Sequence, residues 1–147
     1  MKKHIDHRMH SAEHILNQTM VRMFGCNRCF SSHLEKKKSK CDYVFDHALT
    51  KAETKEIEKQ VNDIIRSDIS VTQEHMPREA AQQYYSMDRL PWSAGNDIRI
   101  VKIGNFDACP CIGPHVSSTG EIGIFRIVSS GFENEVLRIR FRLAPLS

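Results

Sequence analysis

His10-Ser-Ala-Glu-His14 near the start of the chain, and Cys111-Ile-Gly-Pro-His115 about a hundred residues later, decide how the rest of the sequence is read. Side chains four apart fall on one face of a helix, one turn above each other. Imidazole and thiolate are ligand types that zinc takes readily, commonly four of them in a tetrahedron. Together the two pairs supply three histidines and one cysteine, enough for one zinc site. The fold is therefore expected to bring His10, His14, Cys111 and His115 together as metal ligands.

Outward from the first pair, residues from about Arg8 to Phe24 read as a helix. Ala12, Ile15, Leu16, Thr19 and Met23 recur at helical spacing, Asp6 is a plausible N-cap and Gly25 supplies a stop. His10, His14, Asn17 and Val21 form an adjoining stripe, so the ligand face borders the core face. Two short strands follow, Arg28 to Glu35 and Cys41 to Asp46, with Cys41, Tyr43 and Phe45 facing one way. The polar tip between them carries Lys36, Lys37, Lys38 and Lys40. Such a tip either protects a sheet edge or grips phosphate.

Thr50 and Glu53 make a capping box ahead of a second helix with Ile57, Val61, Ile64 and Ile65 as its apolar stripe, ending near Ser67. Ile69 to Glu74 is expected as a strand, and Pro77 as the first position of a short helix to about Tyr84. Ser86 to Asn96 reads as a loop whose Trp92 serves either as a core plug or as a stacking platform. Ile98 to Ile103 is a buried strand. Ser117 to Gly120 is a turn or one helical turn. Glu121 to Val128 and Glu135 to Leu143 are strands around a turn at Ser129 to Asn134. In the last strand Arg138, Arg140 and Arg142 share one face and Ile139, Phe141 and Leu143 the other. Strand pairs interrupted by helices predict an α+β fold, mostly antiparallel sheet with about three helices.

At 147 residues, with 40% hydrophobic and 27% charged residues, the chain has the make-up of one soluble domain spanning 1–147. No apolar run approaches a membrane span and no signal peptide precedes the first helix, so the expected place is the cytoplasm, with no membrane partner. Five cysteines, an odd number, argue against a disulfide framework. The net charge of +3 does not by itself demand a nucleic-acid partner, and no DNA partner is expected. Four of the eight histidines, His4, His7, His10 and His14, crowd the first fourteen positions.

His10-Ser-Ala-Glu13-His14 also matches H-x-x-E-H, in which the glutamate beside the second histidine activates a metal-bound water. That reading leaves Cys111 and His115 without a task. Cys109 and Cys111 flank Pro110, and one of them is expected to face the metal. Cys111 is preferred because it pairs with His115. Cys26 and Cys29 form a C-x-x-C that reads as ordinary packing without a second such pair.

Several stretches, in order, resemble the editing domain shared by alanyl- and threonyl-tRNA synthetases and its free-standing AlaX relatives. They are Arg8-Met-His-Ser-Ala-Glu-His-Ile-Leu16, Tyr43-Val-Phe-Asp-His47, Val61-Asn62 with Ile65, Asp107-Ala-Cys-Pro-Cys-Ile-Gly-Pro-His-Val116, Thr119-Gly-Glu-Ile-Gly123 and Arg138-Ile139. The resemblance implies that His10, His14, Cys111 and His115 bind Zn2+. It implies a trans-acting deacylase that hydrolyses the ester of mischarged tRNA, Ser- or Gly-tRNA for alanine by family expectation. Glu13, Asn17, Ser32, His33, Gly113 and Thr119 then fall at the catalytic pocket, and Lys36, Lys37, Lys38, Lys40, Arg138 and Arg140 are tRNA contacts.

Two departures touch the pocket. Pro114 stands where the family's Cys-x-Gly-Thr-His has Thr, and the family's Gln-x-Gly-Ser on the first hairpin is replaced by Ser31-Ser32 followed by His33. The other reading is a tRNA- or protein-binding module of the same fold with structural zinc. No synthetase domain accompanies the sequence, so the protein is expected to stand alone or work in a complex, in an oligomeric state the sequence does not set.

Overall fold

Asp6 starts the chain's principal helix, α1 (His7–Phe24), by accepting hydrogen bonds from the backbone N–H groups of Arg8 and Met9. Gly25 ends it in the left-handed conformation, φ 69°, with its N–H bonded to the Val21 carbonyl. In this computed structural model, which describes residues 6–145, α1 buries two stripes instead of one. Met9, Ala12, Ile15, Leu16 and Met20 enter the core, while His10, Glu13, His14 and Asn17 are buried on the adjoining side. His4 and the side chain of Trp92, both singled out in the sequence, lie outside what is described.

The core stripe of α1 packs on a four-stranded antiparallel sheet in the order β1-β2-β7-β6. β1 (Ser31–His33) and β2 (Ser39–Val44) form the lysine-tipped hairpin, β1 being shorter than expected. β6 (Ile124–Glu133) and β7 (Val136–Ala144) form the second hairpin. The expected turn at 129–134 is instead a continuation of β6. A bulge between Ile127 and Ser129 absorbs one residue, and pairing resumes until a two-residue turn at Asn134 and Glu135, φ 51° and 64°. Tyr43, Leu137, Ile139, Phe125 and Phe141 supply the sheet's inner face.

α2 (Lys51–Arg66) begins with the Thr50–Glu53 capping box and lays Ile57, Val61 and Ile65 on the same core. Its Asn62 side chain clips the edge of β6, accepting the Phe125 N–H at 2.8 Å and donating to the Phe125 carbonyl at 3.0 Å. Buried amides persist where both functions are satisfied.

A second, three-stranded antiparallel sheet is ordered β3-β4-β5, from β3 (Val71–Pro77), β4 (Asp97–Ile103) and β5 (Asp107–Pro110). Pro77 closes β3 and occupies the N-cap of α3 (Arg78–Tyr84), one position earlier than predicted. Ala81, Ile98 and Ile100 make a small core of their own under α3. The β4–β5 turn is gripped by α1, where Gln18 and Arg22 donate to the Phe106 carbonyl at 2.9 and 2.7 Å. That grip sets β5, and the segment after it, against the polar stripe of α1. The described residues thus form an α+β fold of three α-helices, two short 3-10 turns and two antiparallel sheets. Among the described residues no helix is long and apolar enough to cross a membrane.

Candidate metal centre and cavity

The α1 stripe and the 111–115 segment meet, although 111–115 is irregular chain and not the helical turn its spacing suggests. One ligand atom each from His10, His14, Cys111 and His115 lies within 4.8 Å of every other. The edge of a zinc tetrahedron with bonds near 2.0–2.3 Å is roughly 3.4 Å, so the four atoms approach a coordination shell.

Two of the three histidines are held by a hydrogen bond at Nδ1. His10 Nδ1 donates to the Pro114 carbonyl at 2.9 Å, which leaves Nε2 with its lone pair 3.2 Å from Cys111 Sγ. His14 Nδ1 lies 3.7 Å from a carboxylate oxygen of buried Asp107 and makes no hydrogen bond at that distance. His115 Nδ1 sits 2.9 Å from the hydroxyl of Ser11, which also accepts the Val116 N–H. His115 Nε2 is then a buried nitrogen without a hydrogen-bond partner. Buried polar atoms left unpaired are uncommon and call for an explanation. A metal ion held by the other three ligand atoms supplies one, and the donor set fits it.

The four groups shift one another's protonation strongly. Burial pushes the Cys111 thiol up, but the His10, His115 and His14 rings around it override this and hold the pKa at about 3. Burial alone pushes His14 down, but Asp107 and Cys111 raise it to about 9. Burial takes His115 down to about 4. Cys109, which burial drives up to about 11, stays a neutral thiol outside the cluster. Choosing Cys111 over Cys109 agrees with this geometry.

Gly113 lies against the His10 ring. A Cβ there would come within 2.6 Å of His10 Nδ1, and closer still to Cε1, so only glycine allows this approach. Arg99 holds the segment by donating to the Gly113 carbonyl.

His10, His14, Cys111 and Gly113 line one wall of a cavity of about 890 Å³, so the metal cluster opens into it. Glu13, Asn17, Cys29 and Arg89 line it too, and Phe30, Val44 and Ile112 give it an exposed apolar rim. Glu13 is buried, which raises its pKa. His14, Ser32 and Arg89 outweigh this and keep it below the usual carboxylate range. Asn17 Oδ1 accepts from the Tyr43 hydroxyl at 2.7 Å and the Cys29 N–H at 3.2 Å, so its –NH2 is left to donate. Ser32 meets the site through Arg89, whose Nη2 donates to its hydroxyl at 2.9 Å.

Two pocket expectations are corrected, and a third residue is found already paired. Thr119 does not reach the cavity. It is fully buried beneath the end of α2, donating to the Ile64 carbonyl at 2.9 Å and accepting the Ile69 N–H at 2.8 Å. His33 is exposed and turns to Glu35 at 2.7 Å, because alternation along β1 puts it opposite in sense to Ser32. Arg138 is no free cation. It makes a two-pronged pair with Asp42 at 2.8 and 2.9 Å. Lys36, Lys37 and Lys38 are exposed at the hairpin tip, and Lys40 stands in register with Arg140 across β2 and β7.

Arg89 and Asp107 had no role assigned from the sequence. Asp107 lies inside a quoted motif, whereas Arg89 sits in an irregular loop and reaches the site only through the fold.

A sequence profile described as the threonyl and alanyl tRNA synthetase second additional domain matches residues 98–139. The chain is also similar to alanine–tRNA ligases. It is 36% identical over 123 residues to that of Fervidobacterium nodosum, which is 83% of this chain and 14% of the ligase. With the Treponema denticola ligase the identity is 33% over 119 residues, 80% of this chain and 20% of the ligase. With that of Neisseria gonorrhoeae it is 32% over 131 residues, 84% and 14%. The chain spans a fifth or less of the length of these curated relatives.

Proposed function

Because the chain belongs to the editing-domain-like family of alanyl- and threonyl-tRNA synthetases, we propose that it is a trans-acting hydrolase of mischarged tRNA, most simply Ser- or Gly-tRNA for alanine, working in the cytoplasm. The observation that carries this is the convergence of Cys111 Sγ and the ring nitrogens of His10, His14 and His115 on the wall of an open cavity of about 890 Å³.

His10, His14, Cys111 and His115 would hold zinc. Bound there, zinc supplies Lewis acidity to the ester carbonyl. The chain's own residues do the rest. The –NH2 of Asn17 is a donor for the carbonyl oxygen as it gains charge. Glu13, an ionised carboxylate inside the cavity, matches the α-ammonium of an aminoacyl ester. Phe30 on the rim offers a face for the terminal adenine to stack on. An aminoacyl ester is already activated, so positioning contributes much of the required rate.

A second reading is favoured by the completeness of the ligand set, since a zinc with four protein ligands is usually structural. The protein would then bind tRNA without hydrolysing it. Single-turnover deacylation separates the two, using Ser-, Gly- and Ala-charged tRNA for alanine and Ser-charged tRNA for threonine, with metal content measured on the same sample. Rapid loss of one mischarged ester, with Ala-tRNA spared, supports the hydrolase. Decay of every ester at the buffer rate with zinc fully loaded establishes the binding module instead.

A further inference from the structure

Behind Glu13 the fold assembles a second sulfur cluster that the proposed reaction leaves unused. Cys29, just before β1, and Cys41, in the middle of β2, are both free and buried. Their sulfurs and a carboxylate oxygen of Glu13 all lie within 4.8 Å of one another. Three such donors invite comparison with a metal site, but Arg89 argues against it. Its Nη1 sits 3.0 Å from Cys29 Sγ and 3.4 Å from Glu13 Oε2, a fixed cation where a second cation would have to go.

A guanidinium at that distance favours a thiolate on Cys29. The Cys41 sulfur lies within 4.8 Å of Cys29 Sγ, and Cys41 and Arg89 lower the Cys29 pKa against burial and the Glu13 carboxylate, while Cys29 and burial raise that of Cys41. Cys29 lines the cavity, although almost wholly covered, whereas Cys41 does not line it. One sulfur is therefore placed to meet a small oxidant and the other to follow. Cys26, the other half of the C-x-x-C, points its thiol at the Met20 carbonyl instead.

We propose that Cys29 and Cys41 are a peroxide-sensitive pair that closes to a disulfide on the inner wall of the cavity. Hydrogen peroxide is the oxidant. Cys29 Sγ attacks one peroxide oxygen, the S–O bond forms as the O–O bond breaks, and the departing hydroxide takes up a proton as water. The Cys41 sulfur then attacks Cys29 Sγ, and the hydroxyl leaves with the Cys41 proton as a second water. Two thiols lose two electrons and peroxide becomes two waters. Bringing the sulfurs to a bond length of about 2 Å asks for rotation of both side chains and a small shift of the irregular segment before β1. The disulfide removes the sulfur anion that Arg89 faces and pulls on the Cys29 backbone N–H that orients Asn17.

The effect on turnover rests on the proposed hydrolase, but the oxidation does not. The test exposes reduced, zinc-loaded protein to hydrogen peroxide, alkylates it under denaturing conditions and maps the peptides by mass. The expected product is a Cys29–Cys41 linked peptide lacking two hydrogens, reversed by dithiothreitol, with zinc still bound. Cys41→Ser should stop at a Cys29 sulfenic acid trapped by dimedone, and Arg89→Gln should slow the reaction several-fold.

Free Cys29 and Cys41 after Cys111 has oxidised and released zinc would overturn the proposal, as would a Cys26–Cys29 bridge. Deacylation is followed in parallel. Its absence from the reduced protein would defeat the hydrolase reading while leaving the peptide map to decide the redox pair.

Discussion

The carboxylate of Asp107 stands 3.7 Å from His14 Nδ1 and 2.7 Å from the guanidinium of Arg28, and its side chain is almost wholly buried. It stands between Arg28 and His14, too far from the ring for a hydrogen bond but near enough that a small movement would let it fix the ring of His14 if that residue holds a metal. Asp107→Asn is expected to lower zinc affinity by about 10–100-fold. Competition with a chromogenic chelator measures this directly, and unchanged affinity would assign Asp107 to Arg28 alone.

Gly113→Ala places a methyl group against the His10 ring, which the Pro114 carbonyl holds from the other side. The expected outcome is substoichiometric zinc with the fold retained, because the clash lies in a surface-facing segment and not in the core. Elemental analysis beside far-UV circular dichroism checks both halves.

Lys36, Lys37 and Lys38 stand exposed at the tip of the first hairpin, while Arg138 is paired with Asp42. If the tip grips tRNA, replacing the three lysines by alanine should flatten the dependence of log binding constant on log salt by about 0.7–0.9 for each phosphate left without its lysine. Arg138→Ala should leave that slope nearly unchanged. Equal slopes for all variants would remove the tip from the interface.

The Asp42–Arg138 pair has a pH signature. Arg138 holds the Asp42 carboxyl below its usual range. Its folded pKa is therefore lower than its unfolded pKa, near 3.9. The pair's contribution is complete above that unfolded value and disappears as pH falls through the folded one. With Arg138 partly exposed, solvent screens the pair and its contribution at neutral pH is expected to be small. Denaturation of Arg138→Ala against the parent should show a gap at pH 7 that closes below pH ~3.

Local chemistry made much of this legible in advance. Asp6 and Gly25 mark the ends of α1 because capping depends on a residue and its near neighbours, and the Thr50–Glu53 box marks α2 for the same reason. The ligand stripe could be read because four-residue spacing has one meaning on a helix. What could not be read depends on chain segments far apart. The Ser129-Ser130-Gly131 run looks like a turn, yet β7 pairs with it across a bulge. Thr119 and Ser32 are both short hydroxyl residues in suggestive stretches. One ends beneath α2 and the other beside Arg89, a difference set by packing and not by spacing. Arg89 itself gave no local sign, because no periodicity governs the loop that carries it.

The hydrogen-bonded contact between His10 and Cys111 joins residues 101 positions apart. Few single contacts enclose more of this chain, and closing so long a loop late in folding is entropically steep. An ion that binds only the closed arrangement would act as a reversible staple. It would raise the unfolding temperature with the logarithm of free ion concentration and slow proteolysis of segments that never touch it. The helix that carries the chemistry would then also be where a trace metal decides how long the folded chain survives.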